Sequence, residues 1–127
     1  DEIAVTVLAS VIAHRKNDNQ LYINAGGLAL SKDRATRVFE GLADCGYGRV
    51  CNSKTAEPIS DLFVQSVHQE HGLVVSKNPL PFDLLPIGSK VRIMPNHVCM
   101  TAAAYNAYQV VEGGTDIIDI WDRCNGW

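Results

Sequence analysis

The sequence predicts a mostly β fold: an antiparallel β-barrel or sandwich-like domain with one or two short helical turns. Three observations predict it. Short runs rich in β-branched residues recur along the chain, and glycine- or proline-bearing turns separate them. A marked alanine-rich, helix-like stretch occurs at residues 95–106. With 127 residues and 46% hydrophobic residues, the chain makes a single domain, residues 1–127, with a core of its own.

The elements read as follows. Residues 3–13 form a first strand, with Ile3, Val5 and Val7 on one face and Thr6, Leu8 and Ser10 on the other. Residues 14–20 are a polar hairpin loop, residues 21–24 a second short strand, and Ala25-Gly26-Gly27 breaks it. Residues 31–41 are charged, and a helical turn opened by Ser31 is expected there. Gly46 and Gly48 make a turn leading into a strand, with Tyr47 packed on the barrel. Residues 61–68 alternate, placing Leu62, Val64, Ser66 and His68 on one face. Residues 73–75 are a strand, and the three prolines of residues 78–88 mark a loop. Val91 and Ile93 share one side of a strand at residues 89–94. Residues 108–111 and 117–121 form a closing hairpin across Glu112-Gly113-Gly114-Thr115.

The net charge of −3 gives no electrostatic reason to expect nucleic acid or an anionic membrane as partner. The longest mostly apolar run, residues 3–13, is interrupted by Thr6 and Ser10 and is well short of the roughly 20 residues of a membrane span. It also lacks the flanks of a signal peptide. The chain begins with Asp1, as expected of a start after a processing site or a cut in a longer protein. The four cysteines form no C-x-x-C pair, and reduced thiols in a cytoplasmic protein are expected.

Two segments carry candidate chemistry. In Pro95-Asn96-His97-Val98-Cys99, an imidazole and a thiolate stand two residues apart. They point the same way if the backbone is extended, and both are good zinc ligands. On spacing alone the commoner reading is a buried histidine beside a buried cysteine. In Gln69-Glu70-His71-Gly72, Glu70 and His71 are candidates for orienting a metal-facing ring, or simply for solvating a turn that Gly72 closes. Cys45, Cys51 and Cys124 read as small buried residues, His14 as a loop residue and His68 as a strand residue. No nucleophile elbow, P-loop or dinucleotide fingerprint occurs.

Taken in order, several segments resemble the C-terminal domain of the D-serine dehydratase-like family, which includes D-threonine aldolase and hydroxyaspartate dehydratase. They are the opening strand, residues 23–33 (INAGGLALSKD), Gly46-Tyr47-Gly48, Gln69-Glu70-His71-Gly72, Ile87-Gly88, Pro95-Asn96-His97-Val98-Cys99 and the closing Gly126-Trp127. The resemblance implies an N-terminal alanine-racemase-type barrel, absent from this chain, that holds pyridoxal phosphate on a lysine. None of Lys16, Lys32, Lys54, Lys77 and Lys90 matches that lysine's context. It further implies that His97 and Cys99 are the metal ligands, with zinc the expected ion.

The implied activity is that of a lyase on D-3-hydroxy amino acids. Within the family, cysteine at the second ligand position goes with dehydratases and aspartate with the aldolase. Cys99 therefore favours elimination to a 2-oxo acid and ammonia over retro-aldol cleavage. The resemblance leaves room for a homodimer of the full-length enzyme, and the isolated domain is expected to be inactive. The contrasting reading is a β-barrel interaction module that has lost the chemistry; the presence of both His97 and Cys99 argues against it.

Overall fold

A computed structural model describes residues 3–38 and 44–124. Eight strands and two short helices follow one another along these residues. The strands are β1 (Val7–Arg15), β2 (Gln20–Ile23), β3 (Gly48–Asn52), β4 (Pro58–Val67), β5 (Gly72–Val75), β6 (Lys90–Pro95), β7 (Ala107–Val111) and β8 (Ile117–Asp122). Helix α1 (Gly27–Leu30) follows β2, and α2 (Val98–Ala103) follows β6. Six strands close an antiparallel barrel in the order β1-β2-β5-β4-β3-β6; β7 and β8 pair as a separate two-stranded sheet. No helix is long and apolar enough to cross a membrane.

Alternation of side chains fills the barrel. Val7, Ala9 and Val11 of β1 point inward, while Leu8 between them is exposed. Leu21, Ile23, Val50, Val64, Val74, Val91 and Ile93 are fully buried, so every barrel strand contributes to one core. Complete burial of such a side chain stabilises the fold by about 1.5–3 kcal/mol.

Two irregularities change what alternation alone implies. In β4 the pairing steps from Val64↔Val74 to Ser66↔Leu73, so Gln65 is an extra residue. Such a bulge exchanges the faces. Leu62 and Val64 are buried as expected, but Val67 follows them inward, and His68 lies exposed just beyond the strand. A similar step between Val11 and Ala13 in β1 carries His14 to the strand's end. His14 is thus a strand residue and not a loop residue. Its Nε2 meets the Leu85 carbonyl oxygen at 2.7 Å, and its ring lies edge-on to Phe82.

The first helical turn comes earlier than expected. Gly26 caps α1, and Ser31, expected to open a turn, ends it with φ of 65°. The cause is tertiary: the Gly27 and Leu28 amides donate to the carbonyls of His68 and Gln69, at 2.6 and 3.2 Å. A short 3₁₀ turn follows at Ala35–Val38. The remainder of the expected turn, to Gly41, and the closing Gly126-Trp127 lie outside the described residues.

Among the cysteines only Cys51 is buried in the core; Cys45 is half-buried, and Cys99 and Cys124 are exposed. The expectation of small buried residues therefore holds for Cys51 and not for Cys45 or Cys124. All four thiols are free.

Candidate metal centre

His97 and Cys99 lie where β6 leaves the barrel and α2 begins. His97 caps α2 with extended backbone angles (φ −136°, ψ 117°), and Cys99 is the second residue of the helix. The extended backbone that the spacing argument assumed stops at His97, because Val98 already starts the helical turn. His97 is half-buried, and Cys99 is exposed at the surface.

The imidazole of His97 is held by a carboxylate. Its Nδ1 is paired with Asp33 Oδ2. A carboxylate only accepts, so Nδ1 carries a hydrogen, and in the neutral ring Nε2 is then the nitrogen with a free lone pair. A histidine held this way is set up to bind a metal through Nε2. Asp33 closes the family-like segment 23–33, but it stands 64 residues from His97, so spacing alone gives it no role.

The arm that carries Asp33 is fastened on both sides. Ser31 Oγ accepts from the Asp33 amide at 3.1 Å. The next residue, Arg34, makes an ion pair with Asp44, and its guanidinium lies 5.9 Å from the Tyr47 ring centre. Arg34, followed by the Gly46 amide and the Thr36 hydroxyl, holds the Asp44 carboxyl below its ordinary range. The same pairing raises the Arg34 guanidinium.

Asn96 ties this arm to the ligand segment. Its Nδ2 donates to the Gly46 carbonyl at 2.6 Å and to Thr36 Oγ1 at 2.5 Å, while its amide donates to the Tyr47 carbonyl at 3.1 Å. Gly46 and Gly48 make that approach feasible. Both have positive φ, and a Cβ on Gly48 would meet the Met94 carbonyl oxygen at 2.5 Å.

Glu70 and His71 sit at a different part of this end. Glu70 is exposed and accepts from Gln69 Nε2 at 3.3 Å. His71 stacks on His68 with ring centres 4.6 Å apart and tilts against Tyr22 at 5.8 Å. The backbone of their turn seats α1, which leads to Asp33. The carboxylate paired with His97 is Asp33.

The donor set fits a zinc-class ion: one imidazole nitrogen and one thiolate are borderline-to-soft ligands. Among the described residues no group of three or more His, Cys, Asp or Glu gathers as a metal site. An ion held by this pair would complete its shell from water, substrate or another part of a longer protein. Two of the lysines are engaged elsewhere on the barrel. Lys90 Nζ donates to Ser10 Oγ at 2.7 Å, and Lys16 lies over the Phe82 ring.

Residues 4–111 match the family model described as the putative serine dehydratase domain. The chain belongs to this family. The serine dehydratase-type domain is 32% identical over its whole length to D-threo-3-hydroxyaspartate dehydratase from Delftia sp. (strain HT23), and it covers 33% of that protein. The two structures align with a TM-score of 0.85 over 98% of this chain. It is 33% identical to the D-serine dehydratase of Dictyostelium discoideum, covering 31% of it. The domain thus spans about a third of the length of these relatives, and it corresponds to their C-terminal domain. A D-threonine aldolase from Filomicrobium marinum is more distant, at 26% identity and a TM-score of 0.66. Solved structures of D-threo-3-hydroxyaspartate dehydratase similar to this chain include a histidine-to-alanine mutant and a cysteine-to-alanine mutant in the metal-free form. The two replaced positions are two residues apart in that protein, the spacing of His97 and Cys99 here.

Proposed function

We propose that this domain carries the metal of a pyridoxal-phosphate-dependent dehydratase acting on D-3-hydroxy amino acids, with His97 and Cys99 as its two protein ligands. The observation that carries the reading is the Asp33–His97 pair, which leaves Nε2 as the free ring nitrogen two residues before an exposed thiol. The named dehydratases among the relatives, and the metal-free form of a D-threo-3-hydroxyaspartate dehydratase cysteine mutant, support it. An N-terminal barrel supplied by the rest of a longer protein holds the pyridoxal phosphate and most of the substrate pocket.

When bound, the ion supplies Lewis acidity to the substrate's β-hydroxyl, and the cofactor supplies an electron sink at Cα. The residues of this chain do the holding. Asp33 keeps the His97 hydrogen on Nδ1, and Asn96 fixes the backbone that presents both ligands. Thiolate with imidazole selects zinc over magnesium or manganese, which prefer oxygen ligands. Elimination is favoured over retro-aldol cleavage because His97 and Cys99 are a zinc-class donor pair, whose ion would supply Lewis acidity suited to a departing hydroxide, and because the aldolase is the more distant relative.

The test uses the full-length protein with D-serine, D-threonine and 3-hydroxyaspartate, each with and without chelator. The expected products are 2-oxo acids and ammonia, lost on chelation and restored by zinc. His97→Ala or Cys99→Ala should remove most activity and lower bound metal while the pyridoxal-phosphate absorbance stays. Glycine and acetaldehyde from D-threonine, without 2-oxobutyrate, would replace the dehydratase reading by the aldolase one. Near-normal turnover of the double mutant in chelator would remove the metal from the reaction.

A further inference from the structure

Thr101 is the buried polar side chain of the described core, with 1% of its surface exposed. It sits in α2, four residues after His97, and faces α1. Its hydroxyl lies 2.8 Å from the Leu30 carbonyl oxygen and 3.0 Å from the His97 carbonyl oxygen. The contact to His97 is the ordinary reach of a threonine back to the preceding turn. The contact to Leu30 is different, because it crosses to another element and satisfies the last carbonyl of α1, which the four-residue helix leaves without an internal partner.

We infer that Thr101 is a positioning residue that sets the Asp33–His97 pair by riveting the end of α1 to the start of α2. The inference rests on His97 being a metal ligand only for its functional consequence; the pair itself is a feature of the metal-free domain. Leu30 stands three residues before Asp33, and the intervening chain turns sharply at Ser31. His97 stands four residues before Thr101 on the other side. One hydroxyl therefore joins the two arms that must meet at the imidazole. Tyr105, on the exposed rim of the same junction, adds a second tie through its hydroxyl to the Ala29 carbonyl at 3.0 Å. Without the Thr101 hydroxyl, the Leu30 carbonyl is buried against a methyl group. The junction opens or shifts to hydrate it, and the carboxylate no longer sits at the distance that keeps the hydrogen on Nδ1.

The experiment compares wild type, Thr101→Val, Thr101→Ser, Asp33→Ala and the Thr101→Val/Asp33→Ala double mutant in the full-length protein. It reads the ¹⁵N spectrum of the His97 ring in metal-free protein and zinc affinity by competition with a chromophoric chelator. Wild type should show the Nδ1–H tautomer, and Thr101→Val a mixture of tautomers with zinc affinity about 10-fold weaker. Thr101→Ser, which keeps the hydroxyl, should recover both. The double mutant should be no worse than Asp33→Ala alone, since the two changes break one connection.

A clean Nδ1–H tautomer in folded Thr101→Val would overturn the inference. So would a Thr101→Ser protein as impaired as Thr101→Val, or losses that multiply in the double mutant. If Thr101→Val does not fold, Tyr105→Phe reads the same junction from its exposed rim; an unchanged His97 spectrum there overturns the inference. A wild-type protein with the clean tautomer but no zinc binding would instead refute the metal-ligand reading and leave the role of Thr101 standing.

Discussion

Replacing Asp33 by alanine removes the carboxylate that, among the described residues, pairs with His97. Two effects follow. The Nδ1–H loses a charged acceptor, and the ring becomes free to place its hydrogen on Nε2, the nitrogen that must be bare to bind a metal. Loss of such a partner lowers metal affinity by about 10–100-fold. The side chains of His97 and Asp33 are 39% and 27% exposed, so solvent screens part of their attraction. The lower end of the range applies, about 10-fold or about 1.4 kcal/mol. Asp33→Asn should lose less, because its amide oxygen still accepts from Nδ1–H. Zinc competition titrations on the full-length protein measure all three forms. An Asp33→Ala protein that binds zinc as tightly as wild type, while His97→Ala does not bind it, would refute the reasoning. The carboxylate would then be a bystander to a ring oriented by packing alone.

Three further outcomes follow from the geometry. The Asp44 carboxyl is lowered in the folded state by Arg34, so the stability it contributes is complete above its unfolded value, about 4, and is lost as pH falls through the lowered value. Asp61, lowered mainly by the Ser76 hydroxyl, acts with the same sign. Thermal melts should therefore fall on acidification below about pH 4, and less steeply in Asp44→Asn; parallel curves would remove Asp44 from the account. Gly26→Ala should cost about 1–3 kcal/mol in urea unfolding, because the new Cβ meets backbone atoms of Gln69, His71 and His68 at 2.5–2.6 Å. The isolated domain should fold with cooperative melting yet develop no pyridoxal-phosphate absorbance on incubation with the cofactor; a stable adduct on one of its lysines would contradict the division of labour proposed above.

The strands were legible because half-buried β structure writes itself as alternation: Leu62 with Val64, and Val91 with Ile93, read directly as shared faces, whereas of the face read as Ile3, Val5 and Val7 only Val7 belongs to β1 and to the core, and Ile3 is exposed. Alternation says nothing of a residue inserted in one strand only, so the exchange of faces at Gln65 was hidden and Ser66 was placed where Val67 belongs. Helix α1 was hidden for another reason. Ala25-Gly26-Gly27 reads as a break, and the turn forms there because the amides of Gly27 and Leu28 find carbonyls of the distant His68–Gln69 backbone. The site divides in the same way. His97 and Cys99 are close in sequence and stand out as a pair, whereas Asp33, Arg34–Asp44 and Thr101 reach the candidate site only through contacts between distant segments.

The closed barrel leaves its six strands no open flank, but the β7–β8 ribbon has one on each side. Every residue of β8 is exposed, and Ile117, Ile118, Ile120 and Trp121 are each more than half open to solvent. The ribbon is fastened at its two ends, by Arg92 to the Gly114 carbonyl at 2.7 Å and by Arg123 Nη1 to the Ala102 carbonyl at 2.5 Å. Its middle is therefore an apolar strand with one open edge, the pattern that recruits further strands from other molecules, although the Ile120 amide is already taken by the Asp119 carboxylate at 2.8 Å. Handled alone, the domain carries this adhesive strip into every tube. A lysine at position 118 or 120 is accordingly the change to make before the free domain is concentrated for spectroscopy.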